Sequence, residues 1–475
     1  MFVIENIIYL SKFNFYSLWI VPLFLVLSCN KISNDDEFSA YFGGEIVNPL
    51  ENYVLLLKDN KIVDTIYLTK NNTFFKKFDS LTPGMYTFKH EPEYQYIYFD
   101  KNDSINVYLD AKNFDESVFF SGKGSEKNNF LIDMYLRNEK DLNAMFEVFD
   151  YNFKRFTETI DQTNQENITF YNKEKNRIGW SEEFDIYANA LYQFPYYTKK
   201  EIYPVIHEIR TGKDVVDSLP KKYYDFRTGI DYGNQKLTDF SPFALYLNHM
   251  LNNVAAIKYH NHYSEFDLSL KTNINKLVIA DSLIENKKVK NIVLNNIAFQ
   301  YLLEDQNMVN NKEFLDTYHQ LSTDKSKRNE IIELGSAIQN LVPGKQLPVV
   351  NFYDKEGKPV TSDELITTKT VFFFWSEKLN SHFILSHKKV LEFQKEFPDY
   401  NFVAVNLDGN QELFKQTLSK YKLYNIKEVC CKNFEDLKLK WAITKVHRTI
   451  VVDENGKITN GFTNIFDSKF TDNLK

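Results

Sequence analysis

The sequence predicts a multidomain α+β protein with three structured parts in chain order. Residues 38–124 carry short runs of alternating apolar and polar residues, which is the period of strands in a β-sandwich. Residues 125–341 carry apolar stripes at helical spacing and predict a central all-α region. Residues 342–475 alternate strand and helix signals and predict a C-terminal α/β domain. A chain of 475 residues is long enough for each part to bury its own core.

The N-terminal β-sandwich is predicted from its runs and from the turns between them. Ile62–Leu68 and Ile105–Leu109 are rich in β-branched and aromatic residues, as strands are. Asp-Asn and Pro-Gly pairs, which favour chain reversal, interrupt the pattern at Lys58–Lys61 and Pro83–Gly84. The runs follow one another at the spacing that is typical of sandwiches.

The central region is predicted from its apolar periodicity. Its clearest helix carries an apolar residue at every fourth position, at Val289, Val293, Ile297 and Tyr301. The aromatic segment Tyr192–Tyr197 has two interpretations, packing between helices or an exposed contact surface.

The C-terminal part has the element order of a βαβ unit with a hairpin appended. An apolar strand at Val371–Trp375 leads through a polar turn into an amphipathic helix from about Ser381. Phe402–Asp408 is a second apolar strand without lasting alternation, as expected in a sheet covered on both faces. A helix over Gln411–Tyr421 and a strand over Thr449–Asp453 complete the unit.

Short motifs in this part stand at Gly344, Pro348, Gly357, Phe374-Trp375, Asp408 and Val446–Gly456. Through them residues 342–475 resemble the thioredoxin-like domain of the TlpA/AhpC-TSA group, common in envelope lipoproteins of Bacteroidota. Similarly, Gly44–Ile46, Pro83–Gly84 and Phe120–Gly124 resemble marks of DUF4369, a small β-sandwich that often precedes such domains.

The resemblance implies a fold but argues against the usual activity of the family. Its enzymes carry C-x-x-C at the start of the helix, where the helix dipole stabilises a thiolate. Here the two thiol positions align with Leu379 and His382. The cis-proline of the family aligns with His447, and a cis bond before a non-proline residue costs about 3 kcal/mol. We therefore expect a redox-inactive thioredoxin-like domain, a pseudo-enzyme without catalytic residues at these positions.

Such a domain can still bind an extended peptide or a partner protein by strand addition beside the His447 loop. We predict a binding groove formed by Trp375, Leu379, His382, His447 and Arg448. In this interpretation Leu379 supplies apolar contact and Arg448 meets an acidic group on the partner.

The alternative function is thiol-disulfide exchange, as a TlpA-like oxidoreductase or an accessory, through Cys430 and Cys431. Neighbouring cysteines form only a strained ring, so two free thiols, a relocated redox pair and a metal role all stay open. Together with His382 and His447, Cys430 could approximate a soft metal site. No fourth ligand is evident, and two polar groove histidines are the simpler interpretation. We expect no metal and no cofactor.

The N-terminus predicts a lipoprotein. Residues 1–28 have the apolar run of a signal peptide, too short for a membrane span, which needs about 20 residues. Val26–Cys29 resembles a lipobox, which implies lipidation of Cys29 and cleavage before it. An ordinary secretory signal or an uncleaved anchor is the alternative. Residues 29–37 form an acidic tether, as in surface-exported lipoproteins. We expect a cell-envelope, outer-membrane protein on the periplasmic face or the cell surface, held to the membrane through Cys29.

Charge and motifs exclude other classes of function. The formal net charge is −7 with both signs interspersed, so no basic face predicts nucleic-acid binding. The sequence has no glycine-rich phosphate loop, no G-x-S-x-G and no H-E-x-x-H.

Overall fold

The computed structural model describes residues 39–90, 93–259, 270–304, 307–377, 379–422, 425–467 and 469–474. The predicted signal peptide, the lipidation site Cys29 and the acidic tether lie outside the described residues. Within the described ranges, no helix combines the length and the apolar character that crossing a membrane requires.

Residues 40–123 form a β-sandwich. Its elements are β1 Ala40–Val47, β2 Tyr53–Lys58, β3 Lys61–Tyr67, β4 Thr73–Phe78, β5 Gly84–His90, β6 Glu93–Phe99, β7 Ser104–Asp110, α1 Phe114–Ser117 and β8 Phe119–Lys123. One sheet has the strand order β4-β1-β7-β8 and the other β3-β2-β5-β6. β1 pairs with β7 in parallel, and the other neighbouring strands pair antiparallel.

Aromatic side chains fill the space between the two sheets. Phe42 on β1 is fully buried, with its ring edge-on to Phe74 at 5.1 Å and to Phe99 at 5.8 Å between centroids. Edge-on aromatic pairs are favourable because the positive ring edge meets the negative ring face. β1 and β7 approach closely at Gly44, where a Cβ would lie 2.1 Å from the Val107 carbonyl oxygen. Glycine is therefore required there.

Two neighbouring asparagines join the sandwich to the next helix, α2, which spans Ser125–Val148. The Asn128 side chain accepts from the Tyr98 N–H at 2.6 Å and donates to the Tyr98 carbonyl at 3.0 Å, on the outer edge of β6. Asn129 bonds the N–H and the carbonyl of Phe120 on β8, both at 2.8 Å. One asparagine therefore caps the edge strand of each sheet.

Helices make up residues 125–339 apart from their connections. The helices after α2 are α3 Phe153–Ile178, α4 Glu182–Thr211, α5 Ser241–Tyr259, α6 Leu270–Leu283, α7 Lys287–Glu304, α8 Met308–Leu321 and α9 Lys325–Gln339. The predicted stripe on α7 is buried at all four positions. In the aromatic segment of α4, Phe194 is buried against Phe243 and Tyr246, at 5.0 and 5.2 Å between ring centroids. The packing interpretation of that segment is therefore the right one for Phe194.

The C-terminal part is a sheet with helices on both faces. Its elements are β9 Asn351–Asp354, β10 Pro359–Thr361, α10 Ser362–Leu365, β11 Thr370–Trp375, α11 Asn380–Glu396, β12 Asn401–Asn406, α12 Gln411–Tyr421, β13 Lys427–Cys431, α13 Phe434–Trp441, β14 Thr449–Val452 and β15 Ile458–Thr463. The strand order is β10-β9-β13-β12-β11-β14-β15. β11, β12 and β13 run parallel, and the flanking strands are antiparallel.

The predicted fold class is confirmed: a β-sandwich, a helical region and an α/β domain follow one another along the chain. Helix α13 was not predicted. Its last residue, Trp441, is fully buried against Phe372 at 5.1 Å between ring centroids. With only 8 residues, α13 is too short to show a helical period, so tertiary packing decides its conformation.

Candidate functional site

Asp408 holds the turn that follows the central strand β11. Its carboxylate accepts a hydrogen bond from the Ser376 hydroxyl at 2.6 Å and from the Glu377 backbone N–H at 2.8 Å. The Asn406 side-chain amide donates to the same carboxylate at 3.1 Å. These bonds end β12 at Asn406, two residues before the predicted end, and fix the approach of the chain to α11.

Leu379, which the sequence analysis aligns with a thiol position, stands immediately before α11. Its N–H donates to the Ser376 carbonyl at 3.2 Å, and its own carbonyl accepts from the Phe383 N–H at 2.9 Å. The residue is 37% exposed. The helix therefore begins with an exposed apolar side chain in place of a nucleophile.

His382 lies in the first turn of α11 with its ring against Phe466, edge-on at 5.6 Å between centroids. Among the described residues, neither ring nitrogen has a hydrogen-bond partner. Burial, then the nearby charges of His447 and His387, lower the pKa of His382 below 6.5. Desolvation of its ring, then the charge of Lys445, lower the pKa of His447 as well. Both pKa values lie below 6.5, so both imidazoles are mainly neutral at pH 7.

The sequence leaves a soft metal site of His382, His447 and Cys430 open as the alternative to two polar groove histidines. The part of the chain that the structure describes contains no group of three or more metal-ligating side chains. Cys430, the third candidate ligand, is fully buried on β13, where its sulfur lies 3.6 Å from the Asn406 side-chain oxygen. The described residues therefore give the metal alternative no support.

Cys430 and Cys431 point to opposite faces of the sheet because they are consecutive residues of one strand. Cys430 packs with Trp375 and Phe414 on one face, and Cys431 with Trp441 on the other. Both thiols are free. Burial raises the pKa of Cys430 to about 12 and that of Cys431 to about 11. Neither thiol is a thiolate at neutral pH, and thiol-disulfide exchange needs the thiolate.

Two residues predicted to line the groove do not lie on its exposed surface. Trp375 is fully buried, and its indole N–H donates to Glu428 at 3.1 Å, so it cannot touch a ligand. The Arg448 guanidinium turns inward, donates to the Gly461 carbonyl at 2.7 Å and also bonds the Ala442 carbonyl. Arg448 therefore lies in the wall of a cavity and is not part of the exposed surface.

A buried polar network behind the turn was missed by the sequence interpretation. His387 on α11 meets the Glu428 carboxyl at 3.0 Å, and its other ring nitrogen meets the Phe383 carbonyl at 2.7 Å. A carbonyl only accepts, so that nitrogen carries a proton. Burial raises the pKa of Glu428. The only sequence signals were one histidine on an apolar helix face and one glutamate in an apolar strand.

Glu377, in the turn itself, is the second group that the sequence interpretation missed. A cavity of about 400 Å³ separates it from the sandwich turn at Leu50–Glu51. Burial, then the charge of Asp408, raise the pKa of Glu377 to about 7, and the Thr417 hydroxyl offsets part of this effect. Glu377 therefore carries a proton during part of the time at neutral pH.

Comparison with known proteins identifies the C-terminal fold. Residues 368–458 match a family model described as thioredoxin-like. No curated protein matches the sequence. Among solved structures, a protein of Bacteroides vulgatus assigned as a thiol-disulfide oxidoreductase is 18% identical, with 29% of this chain and 99% of that chain covered and a TM-score of 0.27. The thioredoxin domain of another thiol-disulfide oxidoreductase of that organism is 22% identical, with coverages of 25% and 86% and a TM-score of 0.23.

A thiol:disulfide interchange protein from a Bacteroides species is also 22% identical, with 26% of this chain and 82% of that chain covered and a TM-score of 0.23. At this level of identity the likeness concerns the fold alone. The family match lies over β11, α11, β12, α12, β13 and β14, the elements that build the turn at Leu379 and the loop at His447. The C-terminal part of the chain is therefore a thioredoxin-like domain.

Proposed function

We propose that this protein is a lipid-anchored envelope protein whose thioredoxin-like domain binds a peptide or a partner protein without redox chemistry. One observation carries the proposal. The exposed Leu379 stands at the N-cap of α11, while the described cysteines are buried thiols with raised pKa values. The scaffold that positions a nucleophile thus presents an apolar contact instead.

The contact surface that we propose consists of Leu379, His382, His447 and Phe466; we refer to it as the Leu379 surface. Phe466 is 43% exposed beside the His382 ring. The neutral imidazoles offer hydrogen bonds to backbone N–H or C=O groups of a ligand. The loop before β14 contains a turn in which the Arg448 N–H donates to the Lys445 carbonyl at 3.3 Å. We propose that the rest of its backbone pairs with an extended segment. An extended peptide with one apolar side chain fits this combination of groups.

The proposed location and family assignment rest on the sequence. The lipobox-like segment Val26–Cys29 supports attachment of the protein to a membrane through lipid on Cys29. The resemblance of the chain to TlpA-type lipoproteins with a DUF4369-like β-sandwich supports an outer-membrane position, at the periplasmic face or the cell surface. In such a position the β-sandwich and helical region separate the Leu379 surface from the anchor along the chain.

Peptide binding by the full-length protein, purified in mild detergent, tests the proposal. Overlapping peptides from envelope proteins are screened against the wild type, Leu379→Asp and the matched control Leu439→Asp. Leu439 is 49% exposed on α13 and outside the Leu379 surface. We expect Leu379→Asp to reduce binding at least about tenfold, since a buried charge in an apolar contact is strongly unfavourable. Equal binding by all three proteins would refute the proposal.

An insulin-reduction assay tests the alternative, thiol-disulfide exchange. We expect the wild-type protein to show no activity above the dithiothreitol background, because its described thiols are buried and protonated. Activity that is lost in Cys430→Ser or Cys431→Ser would overturn the proposal and favour an oxidoreductase.

A further inference from the structure

Arg448 is a buried cation that has no counter-ion among the described residues. The residue is 8% exposed and forms no ion pair with any described residue. Burial alone lowers the pKa of its guanidinium to about 9, which still leaves it charged at neutral pH. A buried charge that no opposite charge compensates is expensive, and proteins normally pair such groups. The absence of a partner within the described chain therefore calls for an explanation.

The guanidinium also has unused hydrogen-bond capacity. Its Nε and one Nη donate to the Gly461 carbonyl at 3.0 and 2.7 Å, and its other Nη donates to the Ala442 carbonyl. The planar group lies over the Phe462 ring, 4.0 Å from the centroid, which fixes its orientation. A guanidinium has five N–H groups, so two remain beyond these three bonds. The Arg448 guanidinium is thus held in place by three hydrogen bonds, and two of its N–H groups can donate to a ligand.

A cavity of about 550 Å³ has Arg448 in its wall. It lies between the end of α7 and the irregular segment after β15, and it reaches His447, which is also part of the Leu379 surface. The cavity therefore shares His447 with the surface proposed to bind peptide. Its charged lining residues are Lys445, Arg448, Lys469, Glu304, Asp467 and Asp472.

We propose that this cavity binds a carboxylate of the bound peptide, either its C-terminus or an acidic side chain, with Arg448 as the counter-ion. The inference rests on the proposed function and specifies which peptides the site accepts. A carboxylate would supply the missing negative charge and accept the two remaining guanidinium N–H groups.

The charge and polarity of the lining favour a carboxylate over a phosphate group. Three basic and three acidic side chains give the cavity no net formal charge when His447 is neutral. The three carboxylates would repel a phosphate dianion more strongly than a carboxylate monoanion. The single buried cation also balances one negative charge and not two. Three asparagines also line the cavity. Asn460 donates to the Asn473 side-chain oxygen at 2.8 Å, and the Asn464 side-chain oxygen accepts from the Phe466 N–H at 3.0 Å, so only the remaining capacity of these amides could serve peptide amides.

Titration of the full-length protein with small probes tests the inference. N-acetylglycylglycine presents a C-terminal carboxylate, N-acetylaspartylglycinamide presents an acidic side chain, and N-acetylglycylglycinamide presents neither. We expect at least one carboxylate probe to bind about tenfold or more tightly than the neutral amide, the range of a charge-assisted hydrogen bond. In protein labelled with ¹⁵N-arginine, the Arg448 Nε–H resonance should shift and saturate with that probe. This measurement needs no variant, since loss of the guanidinium could itself disturb the loop.

Variants provide the second readout. Arg448→Gln should abolish the preference for carboxylate, while Lys445→Gln, an exposed charge on the same rim, should change it less than twofold. Equal binding of all three dipeptide probes, or tighter binding of orthophosphate than of either carboxylate, would overturn the inference. Peptides whose binding depends on Leu379 but not on their carboxylates would leave the proposed function intact and remove only the Arg448 subsite.

Discussion

Replacing Glu377 by glutamine should stabilise the C-terminal domain at pH 8 and leave its stability almost unchanged at pH 4. In the folded protein, burial and the charge of Asp408 raise the pKa of Glu377 from 4.5 to about 7. Between these two values the folded state keeps a proton that the unfolded state has lost. Stability therefore falls as the pH rises through this window, and the loss is complete above about pH 7. Glutamine does not titrate, so the stability of the variant relative to the wild type should increase as the pH rises from about 4.5 to about 7.

The magnitude follows from the width of the window. The raised and the ordinary pKa differ by about 2.5 units, and each unit corresponds to about 1.4 kcal/mol, which gives an upper limit near 3.4 kcal/mol. Glu377 is only half-buried, so solvent screening reduces this limit. We therefore expect about 1–2 kcal/mol at pH 8.

Differential scanning calorimetry of the full-length protein between pH 4 and pH 8 measures the effect. The control is Glu392→Gln on α11, where the carboxylate is exposed and forms an i,i+3 ion pair with Lys389. Its effect should stay below about 0.5 kcal/mol at every pH. A Glu377→Gln variant that is no more stable than wild type at pH 8, or equally stabilised at pH 4, would contradict the reasoning.

Three further outcomes are expected. Asn128→Ala should destabilise the protein by about 2–4 kcal/mol, because it leaves the Tyr98 N–H and carbonyl on the edge of β6 without partners. Asn129→Ala should act in the same direction through Phe120 on β8. Chemical denaturation measures the free energy of unfolding of both variants. In folded protein at pH 7, Cys430 and Cys431 should react with Ellman's reagent no faster than the protein unfolds, and fast labelling of either would disprove their burial. Cys29→Ala should release the protein from the membrane fraction, as judged by immunoblotting after ultracentrifugation, and unchanged retention would rule out the lipid anchor.

Sequence reasoning predicts the elements around the turn better than the direction of individual side chains. β11 and α11 follow from an apolar run and an amphipathic pattern, and their bounds differ from prediction by only a residue or so. Whether Trp375 faces a groove or the core cannot be read from a strand that is apolar on both faces. Arg448 follows the exposed His447 directly, yet the chain turns its guanidinium inward to two carbonyls that lie elsewhere in the sequence.

The missed network shows the same limit over a longer distance. His387 and Glu428 are 41 residues apart, and neither belongs to a recognisable motif. Their proximity results from the packing of α11 against the sheet. In the sequence the strand β12 and the helix α12 lie between them. A lone polar residue within an apolar element signals a buried partner, but the sequence does not say which residue that partner is.

The adjacent asparagines of α2 mean that the β-sandwich is not a separable unit. A fragment ending at Gly124 would keep every strand but would uncover the backbone of β6 and β8 together. Exposed strand edges invite pairing with other chains, so such a fragment should self-associate. Extending it through α2 restores both caps with two consecutive residues. The natural boundary of the N-terminal module therefore lies inside the helical region, and that helix belongs to both parts.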